Sequence, residues 1–528
     1  EEESDPVGLS SGAYKYRQTD MTLGSSSFPY QLSFDVDYSS ADRFSDGPLG
    51  WGWSHNWQLG SALVSEPFRG LGSSSPIQAA ASLVSFYTCM DLAGVSGLPV
   101  SEIVTAWLTT NWWCDNMNLN VFSASTLEGS PEFLIMPDGT YQPTTNEGWS
   151  LSESSGEYTV TTPQQVEYTY NTDGDLETIE YPNGVTITLS YTSGKLTSVT
   201  NGMGRTLTLS YTGDKLTGVS DGNGRSVSYD YDVDGQLDTI TDLMGEDTTF
   251  TYDGLGQIES FFLPENPASP MVTNTYDSLG RIESQLDMNS EQQEFYFAGW
   301  RTEFKNALGE SIVRHYNRAG NTIKEIDELG FVTSYEYDGL NRTVKKTMPE
   351  GDSISWTYDS KNNILTEIRS AKPSSGLSDI VETFTYHATF NKVATHEDGR
   401  GNTTTYSYNS STGNLETIER PDIGMVTPTV TMTYNGRGQV LTRTDETGIV
   451  TKFEYHTTTE VLEQVTVDEG MGQLNLLTVL DYNAWGDVDS VTDPRGNETE
   501  YTYDDKRRLT QIENTAPFGY ITNITYFM

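Results

Sequence analysis

The chain has 528 residues, with 30 basic and 75 acidic side chains and a net charge of -45 at pH 7. This excess of negative charge repels nucleic acid and anionic lipid, so neither is expected as a partner. With 11% aromatic residues and a mean hydropathy of -0.50, the sequence is too aromatic for a disordered chain. No long apolar run predicts membrane insertion. The first residues, Glu1–Ser4, are typical of a mature product without its signal peptide, which predicts a secreted or cell-surface location.

Residues 1–67 are predicted to form strands joined by polar turns, as a β region that leads into the array or plugs it. Alternate residues of 30–38 are apolar, which predicts one buried face. Trp51, Trp53 and Trp57 then follow among glycines. A cluster of indoles can stack on the sugars of a glycan, or it can plug the end of a solenoid where glycines let the backbone approach closely.

Residues 68–117 interrupt the β pattern and predict a small inserted helical hairpin. The segment 77–87 is rich in alanine, and 100–113 carries an apolar stripe at helical spacing. Cys89 and Cys114, the two cysteines of the chain, both lie in this insertion. In a secreted protein they would form a disulfide that closes a loop of about 25 residues. Two buried free thiols are the alternative.

Strands are predicted again over 118–165, and from residue 166 to 512 one phrase repeats, most often every 20 or 21 residues. Its marker is a tyrosine that precedes a turn, and such a tyrosine occurs some fifteen times. One form of this turn reads Tyr-Asp-x-x-Gly-x-Leu/Ile, as in 252–258. The second turn of each unit reads Asp-x-x-Gly-x-x-Thr, as in 327–333. Asp is expected to cap backbone amides where a turn begins, and Gly to supply the positive φ where it ends.

Each unit therefore contains two short strands with alternating faces. Leu207, Leu209 and Tyr211 share one face, and the threonines and serine between them share the other. One hairpin alone is marginally stable, but stacked neighbours bury a continuous face. We predict an all-β fold, in which antiparallel hairpin repeats form one long sheet that curls into a spiral. A C-terminal β tail is predicted over 513–528.

The register of the Tyr-Asp-x-x-Gly motifs resembles the RHS or YD-repeat family of large surface and secreted proteins, which includes bacterial toxin carriers and the teneurins. Residues 19–23 and 50–57 are similar to the N-terminal part of bacterial members. The resemblance implies a hollow shell of β-hairpins, which in toxin systems encloses a cargo polypeptide. Toxin carriers close their shell with an Asp-Pro-x-Gly motif, but Asp493–Gly496 lies inside an ordinary repeat. We therefore expect a container or scaffold without its own toxin domain.

No catalytic arrangement stands out in this sequence. There is no nucleophile motif, no Cys–His arrangement and no phosphate-binding loop before a helix. The histidines have no second ligand at metal-binding spacing, so surface or structural roles are expected for them. They are His55, His315, His387, His396 and His456. We predict a non-enzymatic protein that has no catalytic residue and requires no cofactor.

Asp230, Asp232 and Asp234 alternate as in the first half of a calcium-binding loop. The twelfth position is Thr241 instead of glutamate, and the flanking residues are strand-like. Calcium is one interpretation of this phrase, and an acid-rich repeat turn is the alternative.

Residues 520–528 are uncharged and strongly β-forming. Open sheet edges recruit further strands, so this tail could pair with the N-terminal region of another copy and give head-to-tail fibres. A strand covered by its own sheet, or a cut within a longer protein, is the alternative. The residues of this candidate assembly strand are Tyr520, Ile521, Ile524, Tyr526 and Phe527. Three functional hypotheses therefore remain: a shell for a cargo polypeptide, a glycan-binding adhesin and a subunit of an extracellular fibre.

Overall fold

The computed structural model describes residues 7–24, 28–65, 119–136, 138–144, 148–504, 506–515 and 518–526. They form 45 strands and one short 3-10 turn, Ser40–Asp42. The described part of the chain contains no helix that is long and apolar enough to cross a membrane. The predicted helical hairpin of 68–117, with Cys89 and Cys114, lies outside the described residues, and so does Phe527.

The strands before the long sheet are β1 (Val7–Gly8), β2 (Ala13–Leu23), β3 (Leu32–Ser39), β4 (Asp46–Gly47), β5 (Gly50–Trp51), β6 (Trp53–His55), β7 (Ser61–Val64), β8 (Val121–Ala124), β9 (Glu132–Ile135) and β10 (Tyr141–Pro143). The first half of the long sheet contains β11 (Ser150–Ser154), β12 (Glu157–Thr161), β13 (Glu167–Tyr170), β14 (Leu176–Glu180), β15 (Thr186–Thr192), β16 (Lys195–Thr200), β17 (Thr206–Thr212), β18 (Lys215–Ser220), β19 (Ser226–Tyr231), β20 (Leu237–Thr241), β21 (Asp247–Tyr252), β22 (Ile258–Phe262), β23 (Val272–Tyr276), β24 (Ile282–Asp287), β25 (Gln292–Ala298) and β26 (Arg301–Lys305). The second half contains β27 (Ser311–Tyr316), β28 (Thr322–Ile326), β29 (Val332–Tyr337), β30 (Thr343–Thr347), β31 (Ser353–Tyr358), β32 (Ile364–Ser370), β33 (Ile380–Tyr386), β34 (Val393–Glu397), β35 (Thr403–Tyr408), β36 (Leu415–Glu419), β37 (Thr429–Tyr434), β38 (Val440–Thr444), β39 (Val450–Tyr455), β40 (Leu462–Val467), β41 (Leu476–Tyr482), β42 (Val488–Thr492), β43 (Glu498–Tyr503), β44 (Leu509–Asn514) and β45 (Tyr520–Asn523).

The N-terminal region forms two four-stranded sheets, in the orders β1-β2-β3-β6 and β10-β9-β8-β7. In β3, Leu32, Phe34, Val36 and Tyr38 are buried and the residues between them are not, which confirms the predicted alternation. Strand β7 pairs with β8, and the amide of Leu119 donates to Ser65 Oγ at 2.9 Å. The chain therefore leaves this sheet after β7 and re-enters it beside the same point.

Strands β11 to β45 form one sheet of 35 strands, each paired with the next along the chain. The pairing is antiparallel throughout, which confirms the predicted sheet of hairpins. In the hairpin of β17 and β18, Leu209 lies opposite Val219, and a β-bulge then places Tyr211 opposite Leu216. The bulge recurs before the turn tyrosine of most hairpins and increases the local twist. Such twist favours curling of the sheet.

The sheet closes on itself as a spiral, because turns far apart in sequence touch. Asn223 Nδ2 donates to the carbonyl of Ala484 at 3.3 Å, across 261 residues. Lys506 Nζ lies 3.2 Å from Glu246 Oε2, across 260 residues. One turn of the spiral therefore contains about 260 residues. We call this contact between the first and second turns of the spiral the seam.

The N-terminal sheets pack against the first turn of the spiral and form one hydrophobic core with it. The ring of Phe34 lies 6.3 Å from that of Tyr229, and the ring of Tyr16 lies 5.2 Å from that of Phe250. Backbone bonds fix the same contact, because the amide of Ile282 donates to the carbonyl of Gly12 at 2.9 Å. The apolar face of the first repeats is buried for this reason.

Candidate functional site: the inner face of the spiral

The repeat turns are built as their Asp and Gly residues predicted. Asp253 Oδ1 accepts hydrogen bonds from the amides of Leu255 and Gln257, both at 2.8 Å. Gly256 ends this turn at a φ of +78°, a conformation that residues with a Cβ rarely adopt. The turns therefore fix the hairpin register locally, and each strand presents the same positions to the same side.

Turn tyrosines lock each hairpin to the one before it. The hydroxyl of Tyr358 donates to the carbonyl of Thr343 at 2.6 Å, fifteen residues earlier. Such a bond contributes about 1 kcal/mol. Burial raises the pKa of Tyr358, and it raises the pKa of Tyr455, which forms the same bond, to about 12. The tyrosines that repeat this bond are Tyr231, Tyr252, Tyr276, Tyr337, Tyr386, Tyr408, Tyr434, Tyr455, Tyr482, Tyr503 and Tyr526. We call the side of the sheet with these tyrosines, and with Leu207 and Leu209, the inner face.

The inner face is covered over the first half of the long sheet. Leu209, Tyr229 and Phe250 stand at equivalent repeat positions and are at most 4% exposed. Their cross-strand partners Val219 and Ile240 are equally buried. The N-terminal sheets supply this cover, so the first half of the inner face is core rather than a binding surface.

The tryptophan cluster belongs to that cover. Trp53 is 3% exposed, and its Nε1 donates to the hydroxyl of Tyr252 at 2.8 Å. Trp57 is 2% exposed and donates to the carbonyl of Ser33 at 2.7 Å. Neither indole has a free face for a sugar, while Trp51 is half-buried. Glycan binding at this cluster therefore stays a prediction. Of the three tryptophans, Trp51 is the one with exposed surface for a sugar.

Arg507 joins the second turn of the spiral to the end of β2, beside the seam, and was not singled out from the sequence. Its Nη1 donates to the carbonyls of Thr22 and Gly24 at 2.9 and 2.8 Å, and its Nε donates to Asp487 Oδ1 at 2.7 Å. Arg507 has a φ of +65° at the turn position that glycine fills elsewhere. Residues 506–508 are also the only three consecutive basic residues in this acidic chain, a signal that could have identified them. Lys506 Nζ adds an ion pair with Asp242 at 2.6 Å.

A buried carboxyl lies beside the seam, in the segment 19–23. Asp20 Oδ2 accepts a hydrogen bond from the hydroxyl of Tyr229 at 2.6 Å, and Oδ1 accepts one from Gln18 Nε2 at 2.7 Å. Burial raises the pKa of Asp20 to about 7. Because the bond from Tyr229 joins β2 to β19, this carboxyl positions the N-terminal region on the first turn.

Charged and aromatic side chains occupy the inner face at the start of the second half of the long sheet, where the described N-terminal sheets do not cover it. Trp356 stands two residues before Tyr358, as Leu209 does before Tyr211, and its Nε1 donates to Glu367 Oε2 at 3.0 Å. The rings of Phe384 and His396 stack at 4.6 Å, and His396 Nε2 lies 2.9 Å from Glu382 Oε2. All of these side chains are only half-buried.

Further along the second half of the long sheet the inner face becomes apolar again, and apart from the buried Val430 it is mostly half-buried. The half-buried residues at these positions are Tyr406, Ile418, Met432, Phe453, Val465, Leu480, Val491, Tyr501 and Ile512. Apolar surface of this extent is typical of a site that contacts another chain. The second half of the inner face is therefore the candidate functional site.

The acidic phrase predicted as a calcium loop is an ordinary repeat turn in this structure. Asp232 Oδ1 accepts the amides of Asp234 and Gln236, both at 2.9 Å. Asp230 lies on strand β19, before the turn. In the described ranges no group of three or more His, Cys, Asp or Glu side chains could hold a metal ion. Calcium binding stays an untested prediction at these residues.

The histidines are spread over the fold. His55 is buried, and burial lowers its pKa to about 4. His387 and His456 take the Asp position of a turn, where Nδ1 accepts amide hydrogens such as that of Thr459, at 3.1 Å. His315 lies on β27. No two of them are brought together as metal ligands among the residues described.

The tail forms the last strand of the sheet. Strand β45 pairs with β44, and the hydroxyl of Tyr526 donates to the carbonyl of Leu509 at 3.0 Å, as a turn tyrosine does. Tyr520 and Ile521 are 68% and 54% exposed. No described strand pairs with the other side of β45.

Comparison with known proteins agrees with the repeat pattern. The family description RHS Repeat matches residues 316–353 and 482–516, and a domain of unknown function (DUF6531) matches residues 4–65. A curated relative from Bacillus spizizenii, the tRNA3(Ser)-specific nuclease WapA, is 28% identical over 317 residues. The match covers 53% of this chain and 12% of that protein.

Two similar solved structures contain Tc toxin components. The crystal structure of TcdB2-TccC3-Cdc42 has a TM-score of 0.47 and 14% identity, over 75% of this chain and 23% of that one. The Photorhabdus luminescens Tc holotoxin pore has a TM-score of 0.49 and 15% identity, over 76% of this chain and 26% of that one. This chain thus spans about a quarter or less of the length of these proteins. The RHS Repeat matches at these two sites agree with the resemblance that the tyrosine turns indicated.

Proposed function

We propose that this chain is a structural part of a secreted or cell-surface RHS shell that holds a polypeptide against its inner face, as in toxin delivery. The observation that carries the proposal is the contrast between the two halves of the long sheet. The inner face is buried where the N-terminal sheets cover it and mostly half-buried over β27–β44, with Val430 as a buried exception.

The chemistry of the uncovered face suits an unfolded or partly folded chain. Aromatic side chains such as Trp356 and Phe453 offer apolar contact, and each good contact of this kind adds a little affinity. Their neighbours include charged groups such as Glu367, which keep the surface wet between contacts. Such a surface retains a polypeptide by many weak contacts rather than by one specific pocket. The role is non-enzymatic, and it is supported by the RHS repeats and by the resemblance to toxin carriers.

Photo-crosslinking from neighbouring positions of β39 tests the proposal. A photoreactive phenylalanine analogue at position 453 lies on the inner face, and the same analogue at position 452 lies on the outer face. With a fluorescent, permanently unfolded basic reporter polypeptide, we expect at least tenfold more crosslinked product from position 453. Mass spectrometry of the purified adduct measures the yield. Equal yields from both positions would contradict binding at the inner face.

A second candidate, a subunit of an extracellular fibre, is favoured by strand β45. Its free side carries exposed Tyr520 and Ile521, and unpaired sheet edges recruit strands. We expect deletion of residues 518–528 to abolish any concentration-dependent growth in mass, measured by static light scattering. The matched control replaces Leu308, an apolar residue that is 84% exposed in a turn away from this edge, with serine. Assembly that survives the deletion would exclude this role for the tail.

A further inference from the structure

A small cavity lies on the seam between the two turns of the spiral. Its volume is about 410 Å³, and its lining includes Arg205 and Arg225 from the first turn and Trp485 and His456 from the second. Gly24, which directly follows β2, also lines the cavity. The cavity is therefore bounded by three parts of the chain that are distant in sequence.

Two arginines in this lining are buried, and not all of their guanidinium nitrogens have a hydrogen-bond partner among the described residues. Arg205 is 8% exposed and Arg225 is 6% exposed. The Nη1 atom of each is buried and has no hydrogen-bond partner among the described residues. Arg225 is otherwise satisfied, because its Nε donates to Asp221 Oδ2 at 2.7 Å and its Nη2 donates to the carbonyl of Thr22 at 3.2 Å.

Comparison of two successive repeat turns shows why Arg205 has no carboxylate partner. Residues 201–205 and 221–225 follow the same plan, with an Asp or Asn at the first position and an Arg at the fifth. Asp221 forms a buried ion pair with Arg225. Asn201 stands in the place of that aspartate, and its Nδ2 donates to the carbonyls of Pro29 and Tyr30 at 3.3 and 3.1 Å. No described carboxylate lies within ion-pair distance of Arg205.

A buried guanidinium without a carboxylate is unfavourable, because desolvation of the charge is not offset. Burial, with a contribution from Arg507, lowers the pKa of Arg205. Three carboxylates also line the cavity, but Asp221 is engaged by Arg225, and Asp481 accepts a bond from Ser490 Oγ at 3.4 Å. Glu463 is the third. In a chain with a net charge of -45, a buried arginine without a partner is the exception.

We propose that Arg205 and Arg225 form a binding site for an oxyanion, a phosphate or carboxylate group, at the seam of the spiral. Arginine presents paired N–H donors that match these groups. The bound group would accept from the free Nη1 atoms and would neutralise Arg205. Because the cavity contacts both turns and Gly24, its occupant would also hold the spiral closed.

Calorimetric titration and thermal unfolding of the full chain test the site at constant ionic strength. We expect inorganic phosphate or N-acetylglutamate to bind with one ligand per chain and to raise the Tm, whereas sodium chloride does not. A response to phosphate alone identifies a free phosphate group as the ligand, and a response to N-acetylglutamate alone identifies a carboxylate. Absence of both responses overturns the proposal.

Two substitutions separate ligand binding from a merely structural role. Arg205→Gln should abolish the ligand-induced shift of the Tm while leaving the Tm without ligand unchanged or higher, because an unpaired buried charge has been removed. Asn201→Asp supplies an internal carboxylate and should also abolish the shift, although its baseline Tm falls through loss of the bonds to Pro29 and Tyr30. Arg318→Gln, in an exposed turn, is the control and should retain the full response. A shift that persists in Arg205→Gln, or a large fall in its baseline Tm, overturns the proposal.

Discussion

Replacement of Arg507 by glycine is expected to weaken the seam by about 3 kcal/mol. The substitution leaves the carboxylate of Asp487, whose side chain is 9% exposed, without its partner. It also removes the donor to the carbonyls of Thr22 and Gly24. Glycine adopts a φ of +65° readily, so the turn itself should not suffer. Because the carbonyl of Thr22 also accepts a hydrogen bond from Arg225 of the first turn, the loss should report how the end of β2 links the two turns of the spiral.

Native-state hydrogen exchange measures this effect, because it resolves local opening within a repeat array. The amides of 221–225 and 483–487 should exchange about a hundredfold faster in Arg507→Gly, as expected for about 3 kcal/mol. Those of β29–β32, away from the seam, should be unchanged. Arg318→Gly is the control, since Arg318 is exposed in an equivalent turn. Unchanged protection at both seam segments would show that Arg507 does not hold the spiral closed.

Replacement of Trp53 by alanine is expected to lower the free energy of unfolding by about 4 kcal/mol. Its indole lies 5.0 Å from the ring of Phe250, 5.3 Å from that of Tyr38 and 5.7 Å from that of Tyr16. The lost volume lies inside the core that joins the N-terminal sheets to the first turn. The hydrogen bond to the hydroxyl of Tyr252 is lost as well.

Urea unfolding followed by near-UV circular dichroism measures that loss. Trp51→Ala is the matched control, because Trp51 belongs to the same cluster but is only half-buried, and it should cost about 1 kcal/mol or less. The unfolding of the second turn should be less affected than that of the first, since the contacts of Trp53 are with the N-terminal region and the first turn. Equal effects of the two substitutions would mean that Trp53 does not hold the N-terminal region on the first turn of the spiral.

The tryptophan cluster is a feature whose role the sequence alone leaves open. The spacing of Trp51, Trp53 and Trp57 among glycines allowed a plug or a sugar-binding surface. The choice depends on whether Phe250 and Tyr252, about 200 residues later, fold over the indoles. Similarly, Asn201 and Asp221 look interchangeable in sequence, and only the path of Pro29 and Tyr30 gives Asn201 its different partners.

The sequence by itself determined the all-β class, the hairpin unit, the turns and the side of each strand that carries Tyr and Leu. These features depend on interactions within about 20 residues: Asp caps amides two and four positions on, Gly takes positive φ, and side chains alternate with a period of two. The tertiary structure alone decided which inner face is covered, where the turns of the spiral touch and why Arg507 replaces a glycine. Those contacts join residues about 260 positions apart, and no local pattern encodes such a distance. The inner face therefore has one pattern in sequence but two environments in the fold, core in the first half of the long sheet and more open surface in the second half.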